Sequence, residues 1–202
     1  MFRAVFFRLS RRQFKNHSSV LQARITGAHM LKSDWRTAGL VTTMPDLLVN
    51  LLKLPELQSH TQRLAARAST IRRAEAFEIS PVREFVTKSF SVGWADEISV
   101  GFGRKPVTVF IATRERRVIG FAGYECTRKA FFGPTGVATD ERGFGVGKAL
   151  LIASLCGLRE LGYVYGIIGA AGPVEFYQEA VGAIVIPDSV PGIYTDLLQQ
   201  LP

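Results

Sequence analysis

The segment that most constrains this chain is VATDERGFGVGKALL at residues 137–151, where three glycines alternate with other residues between an arginine and a lysine. A strand, a glycine-rich turn and a helix start in this order present several unpaired backbone N–H groups in one place, and the helix dipole adds about half a positive charge. Glycine also lets the backbone approach a bulky anion and adopt positive φ. The segment therefore predicts an anion site, with a diphosphate as the obvious ligand.

Spacing excludes two common phosphate-binding motifs. A P-loop requires glycine five places before a Gly-Lys pair and Ser or Thr after it, but this chain has Arg142 and Ala149 at those positions. The dinucleotide pattern G-x-G-x-x-G also fails, because its last position falls on Lys148 when counted from Gly143 and on Leu150 when counted from Gly145. The ligand that bears the diphosphate is therefore expected to belong to a class that neither of these two motifs binds.

The pattern that fits is R-x-x-G-x-G, formed by Arg142, Gly145 and Gly147, with Val137 five places before the arginine and Leu150–Leu151 after the loop. This pattern resembles the acetyl-CoA-binding motif of the GNAT superfamily of N-acetyltransferases. The order of predicted elements from residue 70 to 199 is similar to that fold as well. The resemblance implies an α/β fold with a mixed, mostly antiparallel sheet flanked by helices and a splayed central strand pair.

The resemblance also implies which residues hold acetyl-CoA as co-substrate. Backbone groups of Val137 and Thr139, at the end of the preceding strand, would pair with the pantetheine arm. Arg142 adds mobile positive charge beside the diphosphate. The loop amides that would hold the diphosphate belong to six consecutive residues: Gly143, Phe144, Gly145, Val146, Gly147 and Lys148.

Direct transfer of an acetyl group to an amine needs a base for the amine and a proton for the departing thiolate. The family's tyrosine matches Tyr177 in VEFYQEAVGA, although Gly182 follows it by five places rather than four, and GAAGP replaces an expected asparagine. Tyr177 could instead pack beside Phe176. Glu125, in the predicted second strand, is the candidate base, and its alternative is a solvated surface position. Asp140 and Glu141 are predicted to be loop or N-cap residues.

Periodicity and turn residues predict the remaining elements. Residues 118–126 follow 107–113 in a hairpin, and residues 130–138 form a third strand with a bulge at Gly133–Pro134. Ser80–Pro81 is read as an N-cap followed by proline at the first helical position. The predicted helices are 46–54, 55–67, 81–90, 94–100, 148–161 and 172–180, the other strands are 70–77, 164–170 and 183–189, and 192–198 is a strand or short helix.

The formal net charge of +8 is concentrated in one segment. Residues 1–43 hold eight Lys/Arg and one acid, which gives +7, while residues 44–202 hold 17 Lys/Arg and 16 acids, which gives +1. The basic extension is read as upstream codons before a start at Met44, as a mitochondrial targeting segment, or as a basic arm. Residues 44–202 are predicted to form a single acyltransferase domain.

Composition narrows the function classes. The two cysteines and three histidines show no metal-ligand spacing, so no metal is expected. The nearly neutral body argues against nucleic acid as a partner, and no apolar run is long enough for a membrane span. We expect an N-acetyltransferase that acts on a small primary amine, is cytoplasmic or in the mitochondrial matrix, and forms a possible homodimer. A non-catalytic acyl-CoA-binding module and a protein or peptide acetyltransferase remain open alternatives.

Overall fold

The computed structural model describes residues 44–195, whose central feature is a seven-stranded sheet. The strands are β1 (Leu47–Asn50), β2 (Ser69–Arg73), β3 (Val109–Arg114), β4 (Arg117–Tyr124), β5 (Phe131–Val137), β6 (Tyr165–Ile168) and β7 (Ile184–Val185). The helices are α1 (Leu57–Ala65), α2 (Ile79–Ser89), α3 (Val92–Phe102), α4 (Val146–Glu160) and α5 (Val174–Val181). The strands lie in the order β2-β3-β4-β5-β6-β1-β7, and this mixed α/β architecture confirms the predicted fold class.

All neighbouring strands are antiparallel except β5 and β6. These two parallel strands pair only through Phe131 with Ile167 and Phe132 with Ile168, after which they separate. The register between β4 and β5 also shifts between Ala122 and Tyr124, opposite Gly133 and Pro134. The splayed pair and the bulge are thus both present, and they leave the C-terminal half of β5 paired only with β4.

The β3–β4 hairpin follows directly from its turn residues. Glu115 and Arg116 have φ values of 49° and 61°, and positive φ at both central positions matches the right-handed twist of the flanking strands. The strands predicted at 107–113 and 118–126 are therefore confirmed with boundaries shifted by one or two residues. The helices predicted at 55–67, 94–100, 148–161 and 172–180 are also present, as α1, α3, α4 and α5.

The predicted helix at 46–54 is wrong. This segment forms β1 followed by a short 3-10 turn at Leu51–Lys53. Its apolar residues also satisfy a period of two, because Leu47, Val49 and Leu51 are fully buried while the residues between them are not. Pairing with both β6 and β7 selects the strand over the helix, since β1 fills the position between them.

The predicted N-cap at Ser80 is wrong as well. α2 already begins at Ile79, and Ser80–Pro81 lie within its first turn. A capping box between Glu75 and Glu78 closes the preceding 3-10 turn (Ala76–Glu78), from which the chain continues directly into α2. The upstream glutamates therefore start the helical segment earlier than the Ser-Pro pair indicated.

Two hydrophobic clusters hold the sheet between its helices. On one side α4 buries an apolar stripe that includes Leu150, Leu151, Leu155 and Leu158, together with β1 and α5. On the other side α2 and α3 cover Phe121, whose ring meets those of Phe85, Phe90 and Trp94. The two clusters fix α4 and α3 on opposite sides of the central strands β4 and β5.

Some sequence predictions lie outside residues 44–195. These include the basic extension at 1–43 and the last residues of the predicted element at 192–198, whose first part, up to Thr195, forms neither strand nor helix. The domain assignment of 44–202 stays a prediction. In the described part of the chain, none of the helices has the length and apolar character needed to cross a membrane.

Candidate functional site

Residues 142–148, called the glycine loop below, lie between β5 and the first turn of α4, after the C-terminal end of β5. Thr139–Glu141 form a 3-10 turn, and Gly145 is the N-cap residue of α4. Gly143 and Gly145 have φ values of 82° and 88°, a region that side chains disfavour, and a Cβ at either position would meet no atom within 4 Å. The loop therefore has the backbone conformation that its glycines predicted.

The loop carries a run of free backbone donors. Within residues 44–195, the N–H groups of 143–148 donate no hydrogen bond, and the first helical bond runs from Ala149 N to Gly145 O at 3.0 Å. Gly143, Phe144 and Gly145 are also exposed. Six successive donors at the positive end of a 15-residue helix are groups with which an anion can form hydrogen bonds.

An ion pair anchors the loop to the β3–β4 hairpin. Glu141 is 3% exposed, and its two carboxylate oxygens accept hydrogen bonds from the guanidinium of Arg114. The carboxylate of Glu141 is therefore paired with Arg114 and holds the loop in place, which agrees with the loop role predicted for this residue. Asp140, its neighbour, is exposed.

The cation predicted beside the loop turns back toward the strand. Arg142 donates from Nε to the carbonyl oxygen of Val137 at 3.2 Å, so this carbonyl has a partner on the same segment. Val137 is the last residue of β5, as expected, while Thr139 lies beyond the strand and is exposed. The proposed pantetheine contacts of Val137 and Thr139 remain predictions.

The structure adds basic residues that the sequence reasoning did not assign. The guanidinium carbon of Arg67, just after α1, lies 3.7 Å from the centroid of the Phe144 ring in the loop. On α1, burial and the nearby charges of Lys148 and Arg63 lower the pKa of His60. A helical spacing of basic residues at 60, 63 and 67 was a visible signal, but only packing of α1 on α4 relates it to the loop.

Tyr177 lies on α5 and packs beside the point where β5 and β6 separate. Its ring meets Phe132 edge-on at a centroid distance of 6.4 Å, and Phe132 forms the last pair with β6. Burial raises the pKa of the Tyr177 hydroxyl to about 12, so the group is protonated at neutral pH. No hydrogen bond of this hydroxyl occurs within residues 44–195. The aromatic packing and a proton-donor role are therefore compatible.

Glu125 lies at the opposite end of β5 from the glycine loop. The sequence placed it in the second strand, but β4 ends at Tyr124 and Glu125 follows with a φ of 54°. Its carboxylate is not solvated, because the residue is 5% exposed and Oε1 accepts hydrogen bonds from the Tyr163 hydroxyl at 2.5 Å and Ala130 N at 3.3 Å. Its role as a base stays a prediction.

A second carboxylate near this turn went unnoticed in the sequence. Glu97 on α3 accepts a hydrogen bond from the Thr127 hydroxyl, and burial raises its pKa. Burial, Glu97 and Asp46 in turn raise the pKa of Tyr194 to about 12, so these groups lie close together. They come from three distant parts of the chain, and no local pattern could have associated them. No group of three His, Cys, Asp or Glu residues suited to a metal ion occurs among the described residues.

Comparison with solved structures agrees with the fold described above. A GCN5-related glucosamine N-acetyltransferase region of a fungal multi-domain GH3 β-N-acetylglucosaminidase superposes with a TM-score of 0.59 at 16% identity, covering 71% of this chain and 20% of that one. A GCN5-related N-acetyltransferase from Sphaerobacter thermophilus gives 0.51 at 16% identity, covering 71% and 48%. The chain has the GNAT fold.

That likeness concerns the fold of the described chain. This chain matches a fifth of the fungal protein and about half of the bacterial one. No family model matches the sequence, and a search of curated proteins finds no match.

Proposed function

We propose that this chain is an N-acetyltransferase that transfers an acetyl group from acetyl-CoA to a primary amine on a small molecule. The observation that carries the proposal is the run of N–H groups at 143–148 that donate no hydrogen bond within residues 44–195, beside the end of β5 where it has left β6. These donors suit the diphosphate, and the gap between the strands suits the extended thioester arm. The GNAT fold supports the same conclusion.

The loop residues bind and orient the acetyl donor. Backbone N–H groups at the start of α4 hold the diphosphate without mobile side chains, so little ordering entropy is lost on binding. Gly143 and Gly145 allow this approach because no Cβ projects from their backbone. Lys148 adds a positive charge in the first helical turn.

Tyr177 supplies the proton for the departing thiol. The amine nitrogen forms a bond to the thioester carbonyl carbon, and the carbon–sulfur bond breaks with its electron pair on sulfur. The Tyr177 hydroxyl donates its proton to that sulfur, and its pKa near 12 keeps the proton in place until the thiolate forms. The tyrosinate then recovers a proton from solvent.

A carboxylate removes the proton from the attacking amine. Glu125 is the candidate that the sequence supplied. Glu97 is a second candidate near the same turn, and its raised pKa makes its carboxylate a stronger base than that of an ordinary glutamate. Either group can act through a water molecule. The two assignments predict different sensitive variants.

The test is release of thiol from acetyl-CoA, followed across a panel of amines and peptides. The proposal expects turnover with a small primary amine and formation of its acetamide. Turnover only with peptides would favour a protein acetyltransferase. Tight CoA binding with no thiol release from any acceptor would instead support a non-catalytic acyl-CoA-binding module.

A charge introduced into the loop localises the donor site. Phe144→Glu places a carboxylate among the loop amides, where repulsion of the diphosphate should raise the KM for acetyl-CoA at least about tenfold. Phe77→Glu is the matched control. Phe77 is 81% exposed and follows the C-terminal end of β2, whereas Arg67, which contacts Phe144, precedes the N-terminal end of that strand. An unchanged KM in Phe144→Glu would contradict the placement of the donor on this loop.

A further inference from the structure

The basic side chains beside the glycine loop come largely from outside it. Arg67 stacks over the Phe144 ring at 3.7 Å, and α1 packs against α4. His60 lies close enough to Lys148 and Arg63 for both charges, after burial, to lower its pKa. We call His60, Arg63, Arg67 and Lys148 the α1 basic cluster. Two elements far apart in sequence thus bring four basic side chains next to the loop amides.

The charges of the cluster are not compensated by salt bridges in the described part of the chain. Within residues 44–195, none of Arg63, Arg67 and Lys148 forms a salt bridge with a carboxylate. The acid nearest in sequence to the loop that is buried, Glu141, already pairs with Arg114. Like charges held close together repel, so the cluster costs folding free energy that an anion would recover.

One anion does not account for both groups of donors. The loop amides provide donors for the diphosphate, while Arg63 and Arg67 are exposed side chains about one helical turn apart that extend the positive surface onto α1. Coenzyme A carries a further phosphate on the 3′ position of the same ribose that bears the diphosphate. Its second anion must therefore lie next to the first, where guanidinium groups bind phosphate well.

We propose that the α1 basic cluster binds the 3′-phosphate of coenzyme A while the loop amides hold its diphosphate. The inference rests on the proposed function, which supplies the ligand. Because the 3′-phosphate does not react, the cluster acts on binding: it selects coenzyme A over dephospho-CoA. Removing Arg63 or Arg67 should raise the KM for acetyl-CoA and leave kcat unchanged.

The experiment is calorimetric titration of the full chain with CoA and with dephospho-CoA. We expect the unmodified protein to bind CoA at least about tenfold more tightly, since hydrogen bonds between charged groups contribute at least that factor. Arg63→Ala and Arg67→Ala should each reduce this ratio, and the double variant should bring it close to one. The affinity for dephospho-CoA should stay the same in Arg63→Ala.

Controls separate the subsite from other effects. Arg83→Ala removes an exposed arginine of α2, outside the cluster, and should leave the ratio unchanged. Arg67→Ala also removes the stacking on Phe144, so Arg63→Ala carries the test of the phosphate contact. Urea unfolding of each variant verifies that the fold is intact.

The outcomes distinguish this inference from the proposed function. Equal affinity of the unmodified protein for CoA and dephospho-CoA would overturn the inference and leave the proposed function standing. Failure to bind either ligand would overturn both. An equal loss of affinity for both ligands in Arg63→Ala would also overturn the subsite, because it would show a general electrostatic attraction instead.

Discussion

The polar groups at the two ends of β5 differ in whether they are hydrogen-bonded within the described chain. At the C-terminal end, the glycine loop has six successive N–H groups, at 143–148, that donate no hydrogen bond within the described chain, and the first three belong to exposed residues. Before the N-terminal end, Glu125 is buried and its carboxylate accepts hydrogen bonds from Tyr163 and Ala130. Buried polar groups are normally paired, whereas free exposed donors can be satisfied by a ligand. The difference supports the proposal that the loop binds the ligand, and the roles of Glu125 and Glu97 in proton transfer are separate predictions.

The largest effect is expected at Tyr177, between these two ends. Tyr177→Phe should lower kcat about 100-fold or more, the usual contribution of a general acid. Folding should be unaffected, because the ring packing on Phe132 is kept and the hydroxyl has no hydrogen bond within residues 44–195. Steady-state kinetics with urea unfolding measure both effects.

Ionisation of Tyr177 at high pH should change both the stability of the fold and the activity of the protein. Its folded pKa of about 12 exceeds the ordinary value of 10.0, so the stability it contributes is complete below pH 10 and is lost as pH rises toward 12. Tyr165→Phe is the control, since Tyr165 is 53% exposed. Full activity of Tyr177→Phe at high pH would remove the general acid from the mechanism.

The buried end of the comparison is tested by Glu125→Gln. If Glu125 is the base, the variant should lose about 100-fold in kcat/KM, while its amide oxygen can still accept the Tyr163 hydrogen bond. Glu97→Gln is the matched variant and should retain most of the rate. The opposite result, with the loss in Glu97→Gln, would move proton removal to α3 and leave Glu125 as a structural residue.

The glycine loop is held to the β3–β4 hairpin by the ion pair between Glu141 and Arg114, and this pair should contribute to stability. Glu141→Gln should reduce the free energy of unfolding by about 2 kcal/mol, less than for a fully buried ion pair because Arg114 is 31% exposed. Glu115→Gln is the control: its pair with Arg117 is exposed on both sides, so the loss should stay below about 0.5 kcal/mol. Urea denaturation decides, and equal losses would show that burial of Glu141 has no energetic role.

The smallest effect concerns the loop glycines themselves. Gly145→Ala should cost about 1–2 kcal/mol of stability, because a Cβ is strained at a φ of 88°. Gly147→Ala should be neutral or stabilising, since this residue is helical and a Cβ would lie 3.6 Å from Val137 in ordinary contact. Thermal unfolding of the two variants compares them directly. A stable Gly145→Ala would mean that the loop can relax.

Much of the fold was predictable because its signals are local. The β3–β4 hairpin, the bulge at Gly133–Pro134 and the apolar stripe of α4 depend on residues close in sequence. The segment 46–54 was not, because its apolar residues fit both a helix and a strand, and only the vacant position between β6 and β7 selected the strand. Ser80–Pro81 misled for a similar reason, since Glu75 and Glu78 compete as a start signal upstream.

The sequence by itself determined the glycine loop: R-x-x-G-x-G before an apolar helix specifies positive φ and free amides, and these are properties of a continuous backbone segment. The tertiary structure decided what surrounds that loop. Packing of α1 on α4 brought Arg67 to Phe144, the split of β5 from β6 placed Phe132 against Tyr177, and folding of three distant segments grouped Glu97 with Asp46 and Tyr194. Side chains far apart in sequence meet only through packing of the core, which no local pattern encodes.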